Sequence, residues 1–529
     1  MLIFLRGAIP KRTKMNDTAN LYKTLGDEYA SVNADQAYLC YENALYHCLN
    51  MGDEDATDIR DLMDIFAKEH SVSVRKVSFV ILSYNTLEYT KMCIESIRRT
   101  CYKDACEIIV ADNASTDGSV AWLRDQNDII LIENHENAGF PAGCNQCIEK
   151  AAKDNDIFLL NNDALLFPES LFWLRMGLYK DSRTGAAGAV SNCVGNDQQL
   201  DEQFESMDEY RSFSEKINVR TANPYESRSF LIMFAMLIKR SVLDFIGPLD
   251  ERYTPGNFED NDYGARLMQK GYDCVLCHNS YIYHFGSKSF AKDVDRYLDL
   301  YVTNREKFAN KWGFYGDYHS RANTDLISMI SPDNDGKIRV MQYDCGLCDT
   351  LSRIVYLFPG SEVCGVEEDP SVASVAKGRY DICCSDVDSA EPDGKFDYIL
   401  MPYVIERSAD PESIIIRLKD HLTDRGYIIA SFHNLMNAKV IRDLLAGDFT
   451  YQDAAGIMDK RNRRLYTFNE INRLFEMCGY KIEEVNATIT ADESTGAFPE
   501  LFEKILSANG TSAKELFDAD QFIIKASRS

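Results

Sequence analysis

The sequence predicts an α/β protein with two parallel-sheet domains behind a short helical region. Three observations predict it. From Val77 onward, apolar β-branched runs alternate four times with helical patterns. A second alternating series runs from KIRVMQYD to QFIIKAS. Ahead of both, residues 16–70 repeat apolar and aromatic residues at helical spacing. Strand–helix alternation builds parallel sheets, and such sheets take ligands at the C-terminal ends of their strands.

In order, 1–72 is expected to be a helical region. Leu25, Gly26, Tyr29, Ala37, Tyr41 and Ala44 resemble a tetratricopeptide helix pair. One repeat is too short for a solenoid, so the segment reads as a cap on the next domain or an arm for a partner. Residues 73–314 form the first α/β domain. Its strands are VSFVILSYN, CEIIVADNAS, IILIEN and DIFLLNND, with helices TLEYTKMCIESIRRT and PAGCNQCIEKAAK between. FLIMFAMLIKRSVLDFIG is a further strand leading into a helix that Gly247 caps. An amphipathic helix over 291–313 ends the domain. The polar stretch 315–335, ending Ser331-Pro332-Asp333-Asn334-Asp335, reads as a linker. The second α/β domain covers 336–529.

The 529 residues are enough for about three or four domains at roughly 150 residues each. Apolar residues make up 45%, so large cores can form. Lys plus Arg number 57 and Asp plus Glu 83, a net charge of −26. Such a surface repels nucleic acid and anionic lipid, and a phosphorylated ligand would need a local cation or a helix N-terminus. Sixteen cysteines lack framework spacing, which fits a reducing, cytoplasmic location. The pairs Cys144/Cys147, Cys274/Cys277 and Cys345/Cys348 read as buried hydrophobes rather than zinc half-sites. The apolar run Phe230–Ile238 is too short to span a bilayer, and Met1–Leu5 has no signal-peptide core. No transmembrane segment is expected, while peripheral membrane association stays compatible with the sequence.

Polar clusters close the four strands of the first domain: Ser83-Tyr84-Asn85, Asp112-Asn113, Asn134 to Gly139, and Asn161-Asn162-Asp163. Any one could be turn chemistry, but four at one sheet edge mark a site. SYN, VADNASTDGS, NAGFPAGCNQCI and FLLNND resemble the nucleotide-sugar-binding half of family 2 glycosyltransferases of GT-A fold. GPLDERYTPGNFEDNDYGARLMQKGY resembles the acceptor half of their rhamnosyltransferase-like branch, and NREKFANKWG its C-terminal helix.

The resemblance implies an inverting, metal-dependent transferase using a nucleoside diphosphate sugar. Asp163 would close the metal motif and hold Mn²⁺ or Mg²⁺ through oxygen, with the amides Asn161 and Asn162 before it. His284 would be a further metal or diphosphate ligand, and Lys288 would touch the diphosphate. Asp112 and Asn113 would accept the N3–H of uracil or thymine, while Ser83, Tyr84 and Asn85 would line the base. Asn137, Gly139, Gly143 and Asn145 would surround the ribose and diphosphate. Asp260 would be the base toward the acceptor hydroxyl, with Glu259 adjacent and Asp262 as alternative. Neighbouring carboxylates raise each other's pKa into a useful range.

The second domain resembles class I S-adenosylmethionine-dependent methyltransferases over about 336–527. It departs from them where it matters. Gln342, Asp344 and Cys348 stand at cofactor-loop positions, and only Gly346 is kept there. Arg407 and Asn462 replace histidines. Glu367 and Asp386 remain to hold the ribose and adenine. The domain is expected to be a relic that docks or positions an acceptor, with doubtful S-adenosylmethionine binding.

The expected donors are UDP-N-acetylglucosamine or dTDP-rhamnose. The expected acceptor is a cell-surface glycan or a glycoprotein such as flagellin. Two alternatives stand beside this: a bifunctional enzyme that also methylates the sugar, and a non-catalytic scaffold of a glycan-assembly complex.

Overall fold

A computed structural model describes residues 13–52, 55–286, 294–332, 336–452, 456–489 and 516–529. The chain divides into two compact units between Gly316 and Asp317. Lys288 lies outside the described residues.

Three helices open the first unit: α1 (Thr13–Tyr29), α2 (Ala34–Met51) and α3 (Ala56–His70). Asn33 starts α2 by accepting the Gln36 N–H at 3.1 Å, and Gly52, at φ +64°, stops it. Tyr41 lies flat over Gly26, where a Cβ would sit 2.4 Å from the ring, so only glycine fits. The helices are a cap on the sheet. Gln36 donates to Met176 O at 2.8 Å, and Asn33 to Tyr179 O at 2.9 Å. Buried Arg175 pairs with Glu42, and His47 with Glu169 at 2.9 Å. Leu39 and Leu45 of α2 share one apolar cluster with Leu174 and Phe158 beneath.

Among the described residues the first unit has nine strands: β1 (Val77–Ser83), β2 (Cys106–Asp112), β3 (Ile129–Glu133), β4 (Asp156–Asn161), β5 (Ala164–Leu166), β6 (Thr184–Val190), β7 (Tyr225–Arg228), β8 (Ala235–Ile238) and β9 (Asp273–His284). Their order is β3-β2-β1-β4-β8-β6-β9-β5, with β7 also on β9. The first four run parallel as expected, and β8 joins β4 antiparallel. β1 and β4 are buried nearly throughout, which is why they read as unbroken apolar runs.

Among the described residues the second unit has seven strands: β10 (Arg339–Tyr343), β11 (Glu362–Glu367), β12 (Asp381–Cys384), β13 (Phe396–Pro402), β14 (Leu422–His433), β15 (Tyr480–Thr488) and β16 (Gln521–Arg528). Their order is β12-β11-β10-β13-β14-β16-β15, with β16 antiparallel to both neighbours. Of the stretch read as a linker, 315–335, residues 333–335 lie outside the described residues, and part of the rest is ordered into helices. Helices occupy Gly316–His319 and Thr324–Ser328, and Leu326, Ile327, Met329 and Ile330 are buried in the second unit's core. No described helix is long and apolar enough to cross a membrane. The cysteines are free, and both members of all three Cys-x-x-Cys pairs are buried.

Candidate active site

β1, β2 and β4 stop in register. Ser83 lies opposite Asp112, Leu82 opposite Asn161, and Asp112 opposite Glu133. The polar clusters therefore meet at one sheet edge.

The turn after β4 leads into β5, which pairs with the end of β9 so that Ala164 faces His284. This sets His284 Nε2 3.1 Å from Asp163 Oδ1, and 3.4 Å from Asn161 Nδ2. The other ring nitrogen, Nδ1, donates to Cys193 O at 2.6 Å. Asn192 clamps the backbone of His284 from both sides: Oδ1 accepts its N–H, and Nδ2 donates to its carbonyl, each at 3.0 Å. Burial alone would depress the imidazole, but the Asp163 carboxylate outweighs this and holds it above its ordinary value. With Nδ1 committed to a carbonyl, Nε2 is the nitrogen that a metal would take. A carboxylate oxygen and an oriented imidazole nitrogen side by side fit a divalent cation. The described residues hold no cluster of three or more such ligands, so a bound ion would need oxygens from its ligand or water.

The edge at the ends of β2 and β3 is a net of amides. Asn113 donates to Asn137 Oδ1 at 3.1 Å and accepts from Asn134 at 2.8 Å, and Asn137 Oδ1 also accepts the Gly139 N–H at 2.9 Å. Asp112 is fully buried and accepts from Ser115 N–H and Oγ–H, at 2.8 and 2.7 Å. Asn85 ties the neighbouring loop through Thr116 N–H at 2.7 Å. Ser83 is buried against Thr90, which leaves Tyr84, 40% exposed, as the residue open to a flat ligand.

Asn145 and Gly143, expected around the ribose and diphosphate, and Asn162, expected beside the metal, each have partners within the fold. Asn145 donates to Leu249 O and Glu251 Oε1, both at 2.9 Å, and accepts the Leu249 N–H, stapling the two halves together. A Cβ on Gly143 would sit 2.3 Å from Leu82, so its smallness serves helix-on-strand packing. Asn162 donates to Thr86 and Thr90 and fixes the start of the helix Leu87–Thr100. Gly139, at φ +81°, lies against Thr254 and Pro255, with a Cβ clash at 2.7 Å. The loop around Thr254-Pro255 thus rests on the loop around Gly139, and Phe140 N–H donates to Pro255 O at 2.9 Å.

That loop leads into the helix Glu259–Gln269. Glu259 is buried, and its Oε2 has no hydrogen-bond partner among the described residues. Burial raises both carboxyls, and Asp260 raises Glu259 further. Asp260 accepts only the adjacent Asn261 N–H, at 2.8 Å, among the side-chain bonds found. Asp262 is different. It is fully buried among Lys311 at 2.5 Å, Arg266 at 2.9 Å and Trp312 Nε1 at 2.9 Å, which brace it against its surroundings. The helix touches Ser229 and Phe230 at Gly264. From there the chain runs to Phe234, whose carbonyl accepts the Asn161 N–H at 2.8 Å and whose ring lies 5.2 Å from His284. One short segment therefore joins the carboxylate helix to the Asp163–His284 pair. Sequence reasoning missed Asn192 and Cys193. Cys193 acts through a backbone carbonyl, which no side-chain motif can announce.

In the second unit, Gly346 N–H donates to Glu367 Oε2 at 2.8 Å. Asp386 lies in a turn, accepting the Ser389 N–H at 2.9 Å. Arg407 pairs with Asp344 at 2.8 Å, and Asn462 donates to Gly456 O at 3.0 Å. Gln342 is buried with its Oε1 unpaired, and Cys348 is buried at φ +69°.

Residues 78–247 match the model of Glycosyl transferase family 2, and 315–485 match that of a Methyltransferase domain. The chain carries a family 2 glycosyltransferase domain of α/β GT-A-like fold followed by a Rossmann-like methyltransferase domain. A particular relative is the uncharacterized glycosyltransferase YfnE of Bacillus subtilis (strain 168), 25% identical over 315 residues, which are 51% of this chain and 80% of that protein. Among solved structures, the mannosyltransferase PcManGT from Pyrobaculum calidifontis, in complex with GDP-Man and Mn²⁺, is 19% identical with a TM-score of 0.30. That match covers 40% of this chain and 57% of the mannosyltransferase. A SAM dependent methyltransferase from Archaeoglobus fulgidus is 15% identical with a TM-score of 0.27, covering 36% of this chain and 86% of that one.

Proposed function

We propose that the first unit moves a sugar from a nucleoside diphosphate sugar to a hydroxyl of an acceptor, with inversion. The observation that carries the reading is the Asp163–His284 pair, 3.1 Å apart, with the imidazole tautomer fixed by Cys193. A bound Mn²⁺ or Mg²⁺ would neutralise charge on the departing diphosphate. Asp163 Oδ1 and His284 Nε2 would hold it.

The chain's own residues supply the rest. Tyr84 offers an aromatic face to the base, beside the amide net of Asn113 and Asn137. Asp260 takes the proton from the acceptor hydroxyl, its carboxyl tuned upward by burial. Glu259, buried next to it, disfavours the doubly ionised state of the pair. One base and one leaving group imply a single in-line displacement. UDP-N-acetylglucosamine and dTDP-rhamnose are the donors to try first. A cell-surface glycan or a glycoprotein such as flagellin is the proposed acceptor.

The test is a panel of nucleotide sugars, with Mn²⁺ or with chelator, scored by thermal stabilisation and release of the nucleoside diphosphate. Stabilisation by one donor only with metal, lost in Asp163→Ala, supports the reading. Equal metal-dependent binding in Asp163→Ala would overturn it. Release of the nucleoside diphosphate also excludes the scaffold reading.

A further inference from the structure

We infer that the methyltransferase-fold unit closes its own cofactor cleft with the strap Tyr318–His319 and does not take S-adenosylmethionine. Ligands of open α/β sheets sit at the strand ends where the order reverses. Here that point lies between β10 and β13. A ligand there needs the amide N–H groups of the turn after β10, the acid ending β11, and open space beside the glycine.

All three are taken. Leu347 N–H donates to His319 O at 2.8 Å. The same carbonyl lies 2.6 Å from where a Gly346 Cβ would stand, so the backbone approach that glycine permits is used by the strap itself. Gly346 N–H goes to Glu367 Oε2, and Asp369 N–H to Glu367 Oε1 at 3.0 Å, so both glutamate oxygens serve the backbone. Arg407 bridges the reversal point to Asp344, which places a guanidinium where a positive sulfonium would arrive and pairs the acid that would greet it.

The strap is pinned. Tyr318 OH accepts from Arg407 Nη2 at 3.2 Å and from Arg461 Nη2 at 2.9 Å. Arg461 also lies over the Tyr318 ring, 5.5 Å from its centre. Just beyond, Asn323 N–H donates to Thr350 Oγ1 at 2.9 Å, and Leu326 and Ile327 sink into the core. What is left of the cleft is a pocket whose lining sets Val366, Val387 and Val404 beside Asp344, Glu368 and Arg407, of which Arg407 and Asp344 already pair with each other. The unit then keeps the fold as a docking or positioning body. This inference is independent of glycosyl transfer.

Two measurements on the full chain test it. Titration calorimetry with S-adenosylmethionine and with S-adenosylhomocysteine is expected to give no saturable heat, and saturable heat with either overturns the inference. Hydrogen exchange is expected to find the Leu347 amide protected, and Tyr318→Phe to speed its exchange roughly fivefold by unpinning the strap. An unprotected Leu347 amide in the unaltered chain, or protection unchanged by Tyr318→Phe, overturns it as well.

Discussion

Asp163 and His284 stand 121 positions apart in the chain and 3.1 Å apart in space, so their partnership depends on the residues that aim the ring. Asn192 does this through the His284 backbone. Asn192→Ala should raise the Mn²⁺ concentration needed for donor stabilisation by about 10- to 100-fold, the usual cost of losing an orienting partner. A Mn²⁺ titration by thermal shift reads it, and an unchanged midpoint would deny Asn192 that role. The carboxyls of Glu259 and Asp260 make a second prediction. Both are raised in the folded state, so each adds stability at acid pH that is lost as pH rises through its folded value. Glu259→Gln should therefore raise the melting temperature near neutral pH and change it little well below the unperturbed carboxylate pKa of about 4. Turnover should fall on acidification above the ordinary Asp range, since Asp260 takes up its proton early. A kcat profile with no acid limb above that range would remove Asp260 as base. In the sequence Asp163 stands out as the acid that closes the fourth strand, whereas Asp260 is singled out only by the resemblance its motif carries. Asn145, Gly143 and Asn162 show what a motif leaves open, since amides and glycines suit tight packing as well as phosphate contact.

At the scale of elements, the four alternating strands were readable because buried parallel strands show as unbroken apolar runs. The helix Thr324–Ser328 was not, because five residues carry no period and polar neighbours hid two buried side chains. The role of α1–α3 was equally hidden. Their amphipathic pattern fits a cap or a free arm, and only the contacts of α2 decide. Those contacts include the buried Glu42–Arg175 pair. Glu42→Gln would leave Arg175 buried without its countercharge, at a cost of about 3–5 kcal/mol in denaturant unfolding. A loss under ~1 kcal/mol would mean that water reaches the guanidinium and the cap is loose. The helix Phe140–Lys150 offers a sharper contrast. If Gly143 serves packing on Leu82, Gly143→Ala costs about 1–3 kcal/mol of stability through overpacking. Donor affinity in the surviving folded fraction should then stay near that of the unaltered protein. A selective loss of affinity with stability intact would return Gly143 to the diphosphate.

Over the whole molecule, the net charge of −26 sets the terms on which an anionic donor arrives. The proposed donor, a nucleoside diphosphate sugar, is itself negative, so the long-range field opposes its approach, and on the proposed mechanism the attraction comes from a cation held at Asp163 and His284. Range separates the two effects. The Debye length falls from about 30 Å at ~0.01 M salt to about 10 Å at ~0.1 M, so added salt mutes distant surface carboxylates far more than a charge within contact distance. With Mn²⁺ saturating, the donor association rate should therefore rise as salt increases over that range, opposite to the behaviour of a basic nucleotide-binding surface. Chelation should abolish binding at both salt levels, because screening lowers the repulsion without supplying the missing neutraliser. Stopped-flow measurement at fixed Mn²⁺ distinguishes the cases. An association rate that falls with salt would place a positive field at the mouth of the site, and the lone cation would no longer be what draws the donor in.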